Sequence, residues 1–494
     1  MKPVDYRPSL DRAAALAFDW LESLDDRPVG PPVDAATLLA CAPVTDLPDE
    51  GVAPDVAVEE LATWLEPGLS ALGSGRYLAL VNGGTLPAGL GADWLVSAWD
   101  QHAAFAEHGP APVAAEQVAG GWILDVLDLP RDAVVGFPTG AQAANTIGLL
   151  AARHHVLAAH GINVERTGLV GAPPIALIGS AEQHSSVARS ARVIGLGSDA
   201  IVPVPSDSSG AMDPDAARAA ILGHGGPLIV NAQAGNVNAG AFDLINAIAD
   251  AVAERRSERN DVWLHVDGAF GLWVRASRRR APLAAGAERA DSWACDAHKW
   301  LNTPYDCGIS IVADRTVLAA AVGVRAAYLP PVGEVDDPTD RVLEFSRRAR
   351  GVPVWAALRS LGRSGVERLV DGACDAAEVL AAAIESIDGL RVRGQGINQV
   401  VVEAVDAAGE SDPARTSAVL AAVVADGRCY PSGTVWQGRP GIRLSVSNWR
   451  TDLDDVAEIA AAFADGNPST LHLSRQPALA GLRASLTASS SSSE

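Results

Sequence analysis

The chain is 494 residues long, 48% hydrophobic and 20% charged, with a formal net charge of −22. That length buries a large core and sets an expectation of two or three structural domains. The acidic balance argues against nucleic acid or an anionic membrane as the main partner, because both require concentrated positive charge, and favours a small-molecule enzyme.

The opening stretch, MKPVDYRPSLDRAAALAFDWLESL, carries acidic residues where a secretion signal would be apolar. No uninterrupted apolar run reaches the roughly 18 residues of a membrane span. Cys41, Cys295, Cys307, Cys374 and Cys429 are scattered and show no C-x-x-C spacing. The expectation is a reducing, cytoplasmic setting without structural zinc or any other metal.

In chain order, residues 1–75 alternate helical patterns with Pro-rich joints such as RPVGPPVD and read as an N-terminal helical arm that packs on something else. Residues 76–345, starting from GRYLALVNGG, alternate short apolar runs with helical stretches, the pattern of a mostly parallel sheet sandwiched by helices. Its clearest strands are PIALIGS, PLIVNAQAG, VWLHVDGAFG and GISIVAD; AANTIGLLAARHHVLAAH and FDLINAIADAVAERRSE are its clearest helices. Residues 346–466 read as a smaller α+β domain, with an Ala-rich helix near 372–386 and strands QVVVEAV and GIRLSVS. Residues 467–494 end in a low-complexity ASLTASSSSSE tail, expected to be disordered.

Only two of the 38 basic residues are lysine, Lys2 and Lys299. A position that keeps an amine in so arginine-rich a chain needs a nitrogen able to lose its proton and attack carbon. In an open α/β sheet, ligands bind beyond the carboxyl ends of the strands. His184 follows PIALIGS, the amide-rich loop with Asn236 and Asn238 follows LIVNAQ, Asp267 ends VWLHVD, and Lys299 follows DSWACDAH. Upstream, Thr139, Gly140, Ala141 and Gln142 open a long helix whose N-terminus suits a phosphate. Pyridoxal phosphate (PLP) would use all of these groups together: an amine for its aldehyde, a helix start for its phosphate, a carboxylate for its ring nitrogen and an imidazole against its ring.

The stretches DSWACDAHKWLNTPYDCG, WLHVDGAFG, EQHSSVARSARVIGLG, QAGNVNAGAFD, RYLALVNGGTLPAGL and GIRLSVSNWRT resemble the group II PLP-dependent amino acid decarboxylases, the family of aromatic amino acid and glutamate decarboxylases. The resemblance spans about residues 75–465. It implies the fold type I (aspartate aminotransferase-like) architecture, a homodimer, and decarboxylation of an L-amino acid, aromatic ones included. By motif position it implies Lys299 as the Schiff-base lysine, His298 beside the phosphate, Asp267 on the pyridine nitrogen, His184 stacked on the ring, and Thr139, Gly140, Ala141 and Gln142 as the phosphate loop. Asn236 and Asn238 are read first as shaping a turn, with Asn236 also a candidate cofactor contact.

Two departures stand out. The phosphate loop reads PTGAQAAN where the family has a Ser- and Glu-bearing version, and the segment LPPVGEVDDPTDRVLEF (329–345) lacks the tyrosine that protonates the carbanion in many relatives. The second departure leaves aldehyde synthesis, transamination and carbon-carbon cleavage open beside decarboxylation. A non-catalytic PLP-binding protein is the remaining alternative, disfavoured by the complete catalytic set. Arg443 is read either as a receiver of substrate carboxylate or as half of a structural ion pair.

Overall fold

The computed structural model describes residues 5–324 and 337–467. Seven strands form the central sheet: β1 (Val134–Gly136), β2 (Ala176–Ser180), β3 (Ile201–Val204), β4 (Leu228–Gln233), β5 (Val262–Asp267), β6 (Ser292–Asp296) and β7 (Gly308–Val312). Their spatial order is β1-β7-β6-β5-β4-β2-β3. Strand β7 runs antiparallel to both neighbours, and every other pair is parallel.

Strands β2, β4, β5, β6 and β7 are buried along their whole length, so both faces of the sheet need cover. Alternation along the strands divides the cover. Leu228, Val230, Leu264 and Val266 join a core shared with the helix Ile245–Glu258. Ile229 and Trp263 join another, shared with the helix Ala141–Ala158 through Ile147, Leu149 and Ala152.

In the segment GRYLALVNGG, Tyr77 makes an isolated bridge to Tyr430, and the helices Pro87–Trp99 and Pro110–Val126 follow before β1. Gly83 packs closely on the lysine turn, since a Cβ there would lie 2.0 Å from the carbonyl oxygen of Lys299.

Four further strands, β8 (Leu390–Gly396), β9 (Gln399–Ala404), β10 (Ser432–Trp436) and β11 (Arg439–Ser445), pair antiparallel in the order β10-β11-β9-β8. The Ala-rich stretch is the second half of the helix Gly351–Glu385, which breaks at Gly362 where φ is 60°. A buried ion pair fixes the approach to that helix: Arg347 donates to both carboxylate oxygens of Glu116, at 2.7 and 2.5 Å. The arm helices Arg7–Glu22, Ala35–Ala40 and Pro54–Leu65 bury no residue. Among the described residues no helix is long and apolar enough to cross a membrane. The low-complexity tail from residue 468, Tyr328 and residues 329–336 of the tyrosine-free segment lie outside the described residues.

Candidate active site

The carboxyl ends of β4, β5 and β6 open onto a cavity of about 540 Å³ lined by Lys299, Asp267, His184, His298, Gly140, Ala141 and Gln142 among others. The parallel register explains the convergence: Asp267 ends β5 opposite Gln233 at the end of β4, and Ala294 of β6 lies beside it. Three residues beyond the end of β6, Lys299 turns its amine back to Asp296, with Nζ 2.9 Å from Oδ2.

Asp267 is buried, which pushes its carboxyl pKa up; the facing His184 and Lys299 and hydrogen bonds oppose that push. Its Oδ2 accepts from Asn145 Nδ2 at 3.0 Å and its Oδ1 from the backbone of Ala269 at 3.2 Å. His184 caps its own helix, Ser185–Val193, with Nδ1 accepting from the backbone of Ser186 at 3.2 Å, so its hydrogen sits on Nε2. Desolvation lowers its pKa and keeps the ring neutral. His298 Nδ1 accepts from the backbone of Cys307 at 3.0 Å, and its ring stacks on Tyr305 with centroids 4.4 Å apart.

Thr139 and Asn236 are not among the residues lining the cavity. Thr139 is exposed just before it. Asn236 is buried, but its polar atoms shape the turn after β4: Oδ1 accepts from the backbone of Asn238 at 2.8 Å, and Nδ2 donates to the carbonyl of Glu182 at 3.1 Å. The helix start is also engaged differently from the expectation. Ala141 N–H donates to Asp296 Oδ1 at 2.6 Å, and the Gln142 side chain donates to Ser190 Oγ at 2.8 Å.

Sequence reasoning missed Asp296, Gln233 and Tyr305. Asp296 was legible as the residue three before the lysine at a strand end. Gln233 was legible only as the β4 residue in register with Asp267. Nothing in the pattern marked Tyr305.

The donor set fits PLP. Gln233 Nε2 is buried in the cavity wall without a partner, and so is the Nε of Arg443. Such donors await an acceptor from a ligand. A lone amine, a buried carboxylate and a neutral imidazole complete the set that the cofactor's aldehyde, ring nitrogen and ring face require.

A model of the "Pyridoxal-dependent decarboxylase conserved domain" matches residues 43–392. An L-2,4-diaminobutyrate decarboxylase of Rhizobium meliloti (strain 1021) is 29% identical over 386 residues, covering 76% of this chain and 74% of that protein. A cysteine sulfinic acid decarboxylase of Mus musculus is 33% identical over 237 residues, covering 46% of this chain and 47% of that protein. The structure of Oryza sativa TDC with PLP and tryptamine superposes with a TM-score of 0.87 at 22% identity, over 96% of this chain and 100% of that one. Mouse CSAD gives 0.86 at 22% identity, over 94% and 99%. The fold is therefore fold type I of the PLP enzymes, as the motifs implied. The family and its relatives do not favour the alternatives of another reaction type (aldehyde synthesis, transamination or other carbon-carbon cleavage) or of a non-catalytic protein. This chain belongs to the pyridoxal-dependent decarboxylase family and is a PLP-dependent amino acid decarboxylase.

Proposed function

We propose that the cavity at the ends of β4, β5 and β6 is where this enzyme decarboxylates an L-amino acid, with Lys299 as the amine that carries PLP. The observation behind this reading is that Lys299, Asp267 and His184 line one cavity in a chain with no lysine other than Lys2. Bound PLP supplies an aldehyde that takes up the substrate amine and a ring that accepts the electron pair left when carbon dioxide departs.

The chain's own groups have separate tasks. Asp267 holds a proton on the cofactor ring nitrogen by staying ionised beside it. His184 offers a neutral ring as a flat wall. Lys299, now paired with Asp296, would supply the amine that holds the cofactor's aldehyde. Gln233 and His298 would be donors to it, and Gly140, Ala141 and Gln142 would line its phosphate end. Arg443 receives a substrate carboxylate: no acidic side chain pairs with it among the described residues, and its one polar contact is Nη1 to the carbonyl of Val237 at 3.4 Å.

The enzyme acts as a homodimer in the cytoplasm. A groove lined by Phe18, Leu21, Trp94, Trp449 and Tyr305 supports the dimer, because Tyr305 also lines the active cavity. Free cysteines support a reducing compartment. The test is a panel of L-amino acids, including 2,4-diaminobutyrate, cysteine sulfinate, tryptophan and glutamate, with carbon dioxide and amine quantified, repeated with Lys299→Ala. Retained turnover in Lys299→Ala sinks the reading. Light scattering and cell fractionation test the dimer and the compartment.

A further inference from the structure

Behind Asp267 lies a chain of polar side chains with no route to solvent. Trp263 Nε1 donates to Ser292 Oγ at 2.8 Å, Ser292 Oγ lies 2.7 Å from His265 Nδ1, and His265 Nε2 lies 2.8 Å from Asn145 Oδ1. Asn145 Nδ2 then reaches Asp267 Oδ2 at 3.0 Å. Asn145, His265 and Ser292 are fully buried, and Trp263 is nearly so.

The donor and acceptor inventory leaves one assignment. A carboxylate only accepts, so Asn145 turns its NH₂ toward Asp267 and its Oδ1 toward His265. That oxygen only accepts, so the hydrogen of His265 sits on Nε2. The bare Nδ1 accepts from the Ser292 hydroxyl, whose oxygen accepts in turn from the Trp263 N–H, a group that only donates. Every hydrogen points toward Asp267.

We infer that Trp263, Ser292, His265 and Asn145 are positioning residues that form a one-directional hydrogen-bond relay, keeping Asp267 ionised and oriented under the cofactor's ring nitrogen. The inference rests on the reading that Asp267 faces that nitrogen. Protonating Oδ2 sets two donors against each other and breaks the relay at its last link, which is costly in a buried network. The sequence makes room for it: Asn145 and Gly148 sit at i and i+3 on one helix face, and a Cβ on Gly148 would lie 2.7 Å from His265 Cε1 and Nδ1. Burial holds His265 neutral, with its pKa lowered to about 3 and no charged group contributing to the shift. The titratable groups facing Asp267 are His184 and Lys299, with the buried thiol of Cys295 nearby.

The test has two arms on the full-length protein. In the first, nitrogen NMR of histidine-labelled protein, with and without PLP, should show His265 in the Nε2–H form unchanged across neutral and mildly acidic pH. An Nδ1–H or charged His265 overturns the relay without any variant. In the second, PLP affinity is measured against pH by cofactor absorbance. Loss of the Asn145 donor raises the Asp267 pKa, so the acid limb of binding should move to higher pH in Asn145→Ala and His265→Phe. Affinity at neutral pH should fall about 10- to 100-fold. His265→Gln, which can still donate to Asn145, should restore the limb, a recovery that a merely space-filling role would not predict. An unmoved limb in Asn145→Ala overturns the inference. Unchanged affinity in Asp267→Ala would instead overturn the site reading and leave the His265 tautomer as found.

Discussion

Every residue of β4, β5 and β6 is buried, whereas the arm helices Arg7–Glu22, Ala35–Ala40 and Pro54–Leu65 bury none. The arm is nevertheless rich in large apolar side chains: Tyr6, Leu10, Phe18, Leu39, Leu47 and Leu61 are all more than half exposed. The two regions spend hydrophobic residues differently. In the sheet they fix the strand ends that carry Asp267 and Asp296, and water is excluded from the groups behind them. In the arm they contribute little within one chain, which leaves an apolar surface for the proposed dimer to cover.

This contrast can be broken or sharpened by substitution. The largest effect is expected at the cavity: Lys299→Ala should reduce carbon dioxide release to background, with borohydride trapping of PLP on the chain lost in parallel. Asp267→Ala should lower kcat on the order of 100-fold, the scale of losing a buried charge-assisted hydrogen bond; a normal kcat would remove Asp267 from its assigned role. At the junction of sheet and C-terminal region, Glu116→Ala strands the buried Arg347 and should cost about 3–5 kcal/mol in denaturant unfolding.

A smaller effect is expected from acid. A neutral buried His265, with its pKa depressed from 6.5 to about 3, contributes stability that is fully present above pH 6.5 and is lost as pH falls toward 3. His265→Gln should flatten the thermal midpoint across that window, and an unchanged slope would show that other groups set it. The smallest intrachain effect belongs to the arm: Leu10→Asp should change the stability of the folded chain by less than about 0.5 kcal/mol. The same change should nonetheless weaken self-association in sedimentation velocity. A large loss of chain stability in Leu10→Asp would erase the distinction between the two regions.

Much of the sheet was legible because strands buried on both faces leave near-continuous apolar runs, and PIALIGS, LIVNAQ, VWLHVD and GISIV each coincide with a strand. Alternation of apolar residues cannot report a close approach such as that of Gly83 to the Lys299 carbonyl. In the cavity, Lys299, Asp267 and His184 were readable because each ends an apolar run or lies a few residues past one, whereas His298 was readable only through the family motif. Asn236 shapes the turn that its place after LIVNAQ suggested, while Thr139, read as a donor at the helix start, is exposed just outside the cavity.

The sequence by itself determined the chemistry and its order along the chain. One amine in an arginine-rich composition, one carboxylate at a strand end and one imidazole after another strand are properties of local pattern, and local pattern survives without coordinates. Only the tertiary structure decided which groups face one another. Asn145 and His265 are 120 residues apart, and Asn145 and Asp267 are 122 apart. Their contact depends on sheet register and on a helix that Gly148 allows to approach. The direction of the hydrogen bonds behind Asp267 then follows from which atoms meet, and no spacing in the chain encodes that.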